Sequence, residues 1–169
     1  MSRREDAEVI MKKHIGWSLG AGLVPIPGLD IAAVTLIQLD MLKQLCRLYD
    51  VNYSESSGKS LLSAVTGSTL ARIGASMVKA VPGLGTLVGG ISMPVLSGAS
   101  TYAIAQAVIM HFEAEGDLID IDFDIIKKVY KEQLHKGKEF ASRMYEKGKA
   151  SQNASPEDDD VVEELERLL

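Results

Sequence analysis

A chain of 169 residues, 46% of them hydrophobic, can bury one core of ordinary size and still carry a tail, which excludes a second full domain. Its formal charge of −5 excludes an overall basic field, so no nucleic-acid partner is expected. The single Cys46 excludes an internal disulfide and a cysteine-built metal cluster, and within "KQLCRLY" it reads as a packed, inert thiol.

The opening "MSRREDAEVIMKKHIG" mixes acids with bases and has no apolar core before a small-residue cleavage site, so it does not read as a secretory signal. Cytoplasmic residence is the expectation. Over residues 3–24 the apolar positions Val9, Ile10, Ile15, Trp17, Leu19 and Leu23 predict a helix that is wet at its start and greasy at its end. Pro25, Pro27 and Gly28 stop it, because proline lacks the amide that a helix interior uses and restricts the residue before it. Asp30 is placed to cap the next helix, with Arg72 or Lys79 as its expected ion partner.

Residues 31–49 carry Val34, Ile37, Met41, Leu45 and Leu48 at alternating spacings of three and four, the clearest amphipathic pattern in the chain. "DVNYSESSGKS" follows as a predicted exposed loop. Residues 61–81 predict a third helix with Gly67, Ala71 and Ala75 on one line, where small side chains let a neighbour approach. A second break, "AVPGLGTLVGG", holds Pro82, Gly83 and Gly85. The fourth helix is predicted from near Pro94 to about Glu115, since proline suits a first helical turn.

A charged amphipathic helix is predicted over residues 123–149, weakened locally by Gly137 and Gly148. The domain organisation is then a helical domain over residues 1–149, an acidic linker over 150–160 and a short amphipathic tail over 161–169. The tail's Val161, Val162, Leu165, Leu168 and Leu169 form one apolar stripe, suited to a docking peptide or a frayed end. The fold class expected is all-α: two apolar hairpins with Pro-Gly reversals, crossed by the charged amphipathic helix, and a short C-terminal helix.

Between Lys79 and His111 lie 31 residues without a formal charge, more than the ~20 a spanning helix requires. Pro82, Pro94 and five glycines interrupt them, so a wedge or hairpin at a membrane fits better than clean spans. Burial against other helices or other copies removes the same faces from water, and a mean hydropathy of +0.08 favours that reading for the chain as a whole. Candidate membrane or oligomer contacts are Trp17, Leu84, Leu87, Val88, Ile91, Met93, Val95 and Leu96.

"LVPIPGLDIAAVTLIQLDMLKQLCRLYDV" resembles the signature of the uncharacterised helical domain of YcjF-type membrane proteins, also appended to certain Era-like bacterial GTPases. The matching residues are Pro25, Pro27, Gly28, Asp30, Gln38, Met41, Leu42, Leu45 and Tyr49, and the resemblance covers about residues 14–122. It implies an all-helical domain with membrane or GTPase-module associations and brings no activity. The chain departs from the fused members in having no GTPase domain, which implies a stand-alone or partner role.

No residue set announces catalysis, a cofactor or a metal. "SESSGKS" ends like a phosphate loop, but Tyr53 stands where the first glycine is needed and no strand precedes it. His14, His111 and His135 are too scattered for a metal motif and read as solvated or interfacial. The acids of "DLIDIDFD" lack the glycine and distal glutamate of a calcium loop.

The leading expectation is therefore a non-enzymatic, membrane-associated or membrane-remodelling scaffold that forms homo-oligomers, peripheral to or inserted at the inner membrane. The alternatives are a soluble oligomeric adaptor or regulator of a separate GTPase, and a carrier of lipid-like ligands.

Overall fold

The computed structural model describes residues 2–23, 29–77, 92–152 and Arg167. Five helices account for nearly all of them: α1 (Arg3–Ala21), α2 (Leu29–Tyr49), α3 (Glu55–Met77), α4 (Met93–Glu113) and α5 (Phe123–Gln152). The all-α class follows from the sequence as expected, with no strand among the described residues.

Local chemistry sets the helix ends. Ser2 accepts the Glu5 amide at 3.2 Å while Glu5 accepts the Ser2 amide at 2.6 Å, a reciprocal box that starts α1. α2 is described from Leu29, and the side chain of Asp30, expected to cap it, lies outside the described residues. α3 begins at Glu55 and takes in most of the predicted loop, because Ser54 Oγ accepts the Ser57 amide at 3.1 Å and caps it. Asp122 does the same for α5, accepting the amides of Asp124 at 2.9 Å and Ile125 at 3.2 Å. α4 carries Pro94 in its first turn as predicted, and α5 runs to Gln152, past the expected boundary at residue 149.

α4 is the central helix. It packs chiefly against α5 and α1, with α2 laid on α1 and α3 touching α4 lightly. The expected second hairpin is thus not a close pair over the described residues: α4 finds its main neighbours elsewhere. The core runs through Ile15, Met41, Leu45, Leu61, Ile104, Val108, Ile109 and Tyr130. At the junction of α3, α4 and α5, Leu61, Val65, Ile104, Val108 and Ile126 close up and leave no room for a water molecule.

Close approach is made through single glycines. A Cβ on Gly98 would lie 3.0 Å from Leu19 Cδ2, and one on Gly137 would lie 2.6 Å from the Ala99 carbonyl oxygen. Gly137, expected as a weak point of α5, is what lets α5 reach α4. Gly67 is exposed and would meet nothing within 4 Å, so the predicted small-residue line makes no helix contact there. The side chains of Ala71 and Ala75 lie outside the described residues.

The helices alternate in direction. Arg4 meets Glu113 at one end of the α1–α4 pair, and Gly22 abuts Pro94 at the other. Arg3 meets Asp50, which makes α1 and α2 antiparallel, and Ala141 beside Gly98 does the same for α4 and α5. One end of the bundle therefore gathers the C-termini of α1 and α5 with the N-termini of α2 and α4. Pro25, Pro27, Gly28, Pro82, Gly83 and Gly85 lie outside the described residues.

Candidate functional site

Halfway along the bundle, α1 and α2 bring together an acid and a base that the sequence keeps apart. His14 is wholly buried; its Nδ1 lies 2.8 Å from the Ile10 carbonyl and its Nε2 3.0 Å from Asp40 Oδ2. Both ring nitrogens are thus engaged, one with a backbone carbonyl and one with a carboxylate. The solvated or interfacial character expected for His14 gives way to a buried hydrogen-bonded contact with Asp40.

Asp40 takes a further hydrogen bond from Gln44 Nε2 at 2.6 Å, and Arg167 approaches it at 3.6 Å. The His14 hydrogen bond holds the Asp40 carboxyl below the ordinary 3.8, reinforced by Gln44 and the charges of His14 and Arg167, while burial opposes them.

One turn further along α1, a second polar group ties four helices. Thr101 Oγ1 donates to the Ser97 carbonyl at 3.0 Å, which leaves it as acceptor for Ser18 Oγ at 2.8 Å and Gln38 Nε2 at 3.1 Å. Ser100 continues the chain to the Tyr130 hydroxyl at 3.1 Å. Every buried side-chain nitrogen and oxygen among the described residues has a partner, so this seam specifies how α1, α2, α4 and α5 fit without leaving an orphan.

The seam contains serine, histidine and aspartate but is not wired as a nucleophilic triad. A general base needs a free ring nitrogen facing the hydroxyl, whereas His14 spends one on Ile10 and the other on Asp40. Ser18 turns instead to Thr101.

The other candidates from the sequence also find local roles. The Gly58 amide bonds the Ser54 carbonyl within the first turn of α3, so "SESSGKS" is helix rather than phosphate loop. Asp117 and Asp122 accept backbone amides, and no group of three potential ligands is gathered among the described residues. His111 contacts the Asp117 carbonyl at 2.9 Å, and His135 is exposed near Glu139. Cys46 is buried, which pushes its thiol up to about 11 and leaves it protonated.

Of the expected contact residues, Trp17 is half-buried between α1 and α2, its ring 4.7 Å from that of His14 and 4.4 Å below the Lys13 ammonium. Val95 belongs to the core, while Met93 and Leu96 are half-buried at the start of α4. Leu84, Leu87, Val88 and Ile91 lie outside the described residues.

The profile of one protein family, described as a domain of unknown function (DUF697), matches residues 2–139. The chain belongs to the DUF697 family. A relative, "Magnetosome membrane protein 22" of Magnetospirillum gryphiswaldense, is 35% identical over 158 residues, covering 90% of this chain and 79% of its own. No solved structure matches. The DUF697 match takes in α1 to α4 and α5 as far as residue 139, so the buried polar seam lies wholly within the family's unit. The His14–Asp40 pair is the member of that seam which residue type alone did not announce. The two residues stand 26 apart, and only the antiparallel packing of α1 on α2 joins them.

Proposed function

We propose that this DUF697 chain is a membrane-associated, self-assembling helical scaffold without catalytic chemistry of its own, which presents one end of the bundle to the bilayer. The observation that carries the reading is the placement of the two charge-poor connections. Residues 24–28 carry no charge and residues 78–91 carry only Lys79, and the described residues Leu23, Leu29 and Ser92 that border them belong to the same end of the bundle. The relative named as a membrane protein supports it.

α4 is long and apolar enough to cross a membrane, yet 67% of its apolar stretch is buried within the bundle. Spanning would require unpacking it from α1 and α5; contact through the end of the bundle leaves the core intact. Leu23 and Ile31, 49% and 38% exposed, add apolar surface at that end. Arg143, Lys147 and Lys149 lie on the last turns of α5, which finishes on the same side, and suit anionic headgroups. Copies meeting through the same end would share its apolar surface, which is the basis for self-assembly.

Flotation with vesicles of phosphatidylcholine, with and without phosphatidylglycerol, tests the reading. The expected result is binding strengthened by the anionic lipid, reduced about tenfold in a Leu84→Asp, Leu87→Asp variant whose thermal unfolding is unchanged. A protein that stays at the bottom of the gradient with every lipid, as a defined lipid-free oligomer, would replace this reading with the soluble adaptor.

A further inference from the structure

The connection from α4 to α5 turns apolar side chains outward. Ile119 is 80% exposed, Ile125 60% and Phe123 40%, while Leu118 and Ile121 between them belong to the core. The inward places are thus filled, and the outer three have no core left to enter. The backbone that holds them out is fixed. Asp117 Oδ1 accepts the amides of Ile119 at 2.6 Å and Asp120 at 2.9 Å, and His111 Nε2 contacts the Asp117 carbonyl at 2.9 Å. Asp122 Oδ1 accepts the amides of Asp124 and Ile125 in turn. A surface already set in shape loses little freedom when a partner covers it.

Charge decides what can cover these side chains. Residues 113–124 carry six acids and no lysine or arginine. Arg4 answers Glu113 and Lys127 answers Asp124, while Asp120 and Asp122 stand exposed among the apolar three. An anionic bilayer is repelled by such a surface. Two copies meeting through it face to face would set acid against acid. A basic amphipathic helix brings both complements: an apolar stripe for the isoleucines and phenylalanine, and flanking lysines or arginines for the aspartates. We propose that Ile119, Phe123 and Ile125, together with Asp120, Asp122 and Asp124, form a docking surface for a basic amphipathic helix of a partner protein.

The surface lies where α4 finishes and α5 starts, at the end of the bundle that also holds Arg4 and Glu113. It gives the scaffold a protein-binding face opposite the end assigned to lipid. The inference stands apart from the membrane reading, and its test contains no lipid.

Fluorescence anisotropy of the full chain with a labelled amphipathic peptide of leucine and lysine, LKKLLKLLKKLLKL, tests it. Saturable binding is expected, weakened at least about tenfold by Ile119→Ser with Ile125→Ser. Asp120→Asn with Asp124→Asn should weaken it several-fold and flatten its salt dependence. Val9→Ser, at another exposed apolar residue on α1, should bind like the native chain. All of these side chains are exposed, so thermal unfolding should not move. Absence of saturable binding below about 1 mM overturns the proposal. So does binding indifferent to the isoleucine substitutions, or equal loss in Val9→Ser, or equal binding of a peptide with serine for leucine, since bare charge would then suffice. Self-association of the chain alone that the isoleucine substitutions abolish overturns it too, by making a second copy the occupant.

Discussion

At one end of the bundle Arg4 bonds Glu113 at 2.8 Å and Gln106 at 2.9 Å, Arg3 bonds Asp50 at 3.2 Å, and the Tyr49 hydroxyl donates to Glu113 at 3.2 Å. At the other end Ala21, Gly22, Leu23, Met93 and Pro94 meet with no ion pair among the described residues. The first end is finished against water by its own groups, and its connections are short turns. The second is closed by the close backbone approach of Gly22 to Pro94. A helix bundle needs only its long faces covered to fold. What it does with its ends is free to serve function, and here the two ends are closed by different means.

The largest effect is expected where the two ends join, at the buried pair. His14→Ala leaves Asp40, 11% exposed, without its strongest partner, and should cost about 3 kcal/mol in chemical denaturation. The pair also sets a pH dependence. Because the folded Asp40 carboxyl titrates below the ordinary 3.8, its contribution is complete above that value and is lost as pH falls through the lower folded one. Native stability should therefore fall below about pH 4, and Asp40→Asn should fall less steeply there while starting lower at neutral pH. Equal slopes would show that other carboxylates govern the acid limb.

The next effect strikes the water-poor end alone. Gly22 has ordinary backbone angles, φ −69° and ψ −7°, so a side chain there is opposed only by lack of room. A Cβ would stand 2.7 Å from Pro94 Cα, and backbone cannot rotate away as a side chain can. Gly22→Ala should push α1 from α4 and cost about 2 kcal/mol. Gly16→Ala meets nothing within 4 Å and should be neutral or stabilising by up to about 1 kcal/mol, which isolates the steric cause. If both variants behave alike, the tight closure of this end is not what holds it.

The contrast between Gly16 and Gly22 also marks how far the sequence was legible. Helix class, the amphipathic face of α2 and the start of α4 at its proline all follow from local periodicity and backbone chemistry, and the structure keeps them. The small-residue spacing singled out Gly67, but the close approaches fall at Gly22, Gly98 and Gly137. Which glycine faces a neighbour depends on the order in which helices pack, and spacing within one helix does not carry that order. His14 was hidden in the same way: beside Lys12 and Lys13 it looks wet, and its burial is created by Asp40 on another helix. The early start of α3 was missed for a smaller reason, a serine cap read as loop composition.

The smallest effect belongs to the charged end. Arg4 and Glu113 are 38% and 39% exposed, so their attraction is screened and each already owns a second contact: Gln106 for the arginine, Tyr49 for the glutamate. Arg4→Ala removes the pair without orphaning Glu113 and should cost about 0.5–1 kcal/mol at low salt. Raising the salt should weaken native and variant unequally and shrink that difference, because only exposed charges are reached by counterions. A cost of about 3 kcal/mol, unchanged by salt, would mean that these groups are sealed from solvent in the working protein. Water would then be the wrong neighbour for this end, and the assignment of the bilayer to the opposite one would lose its contrast.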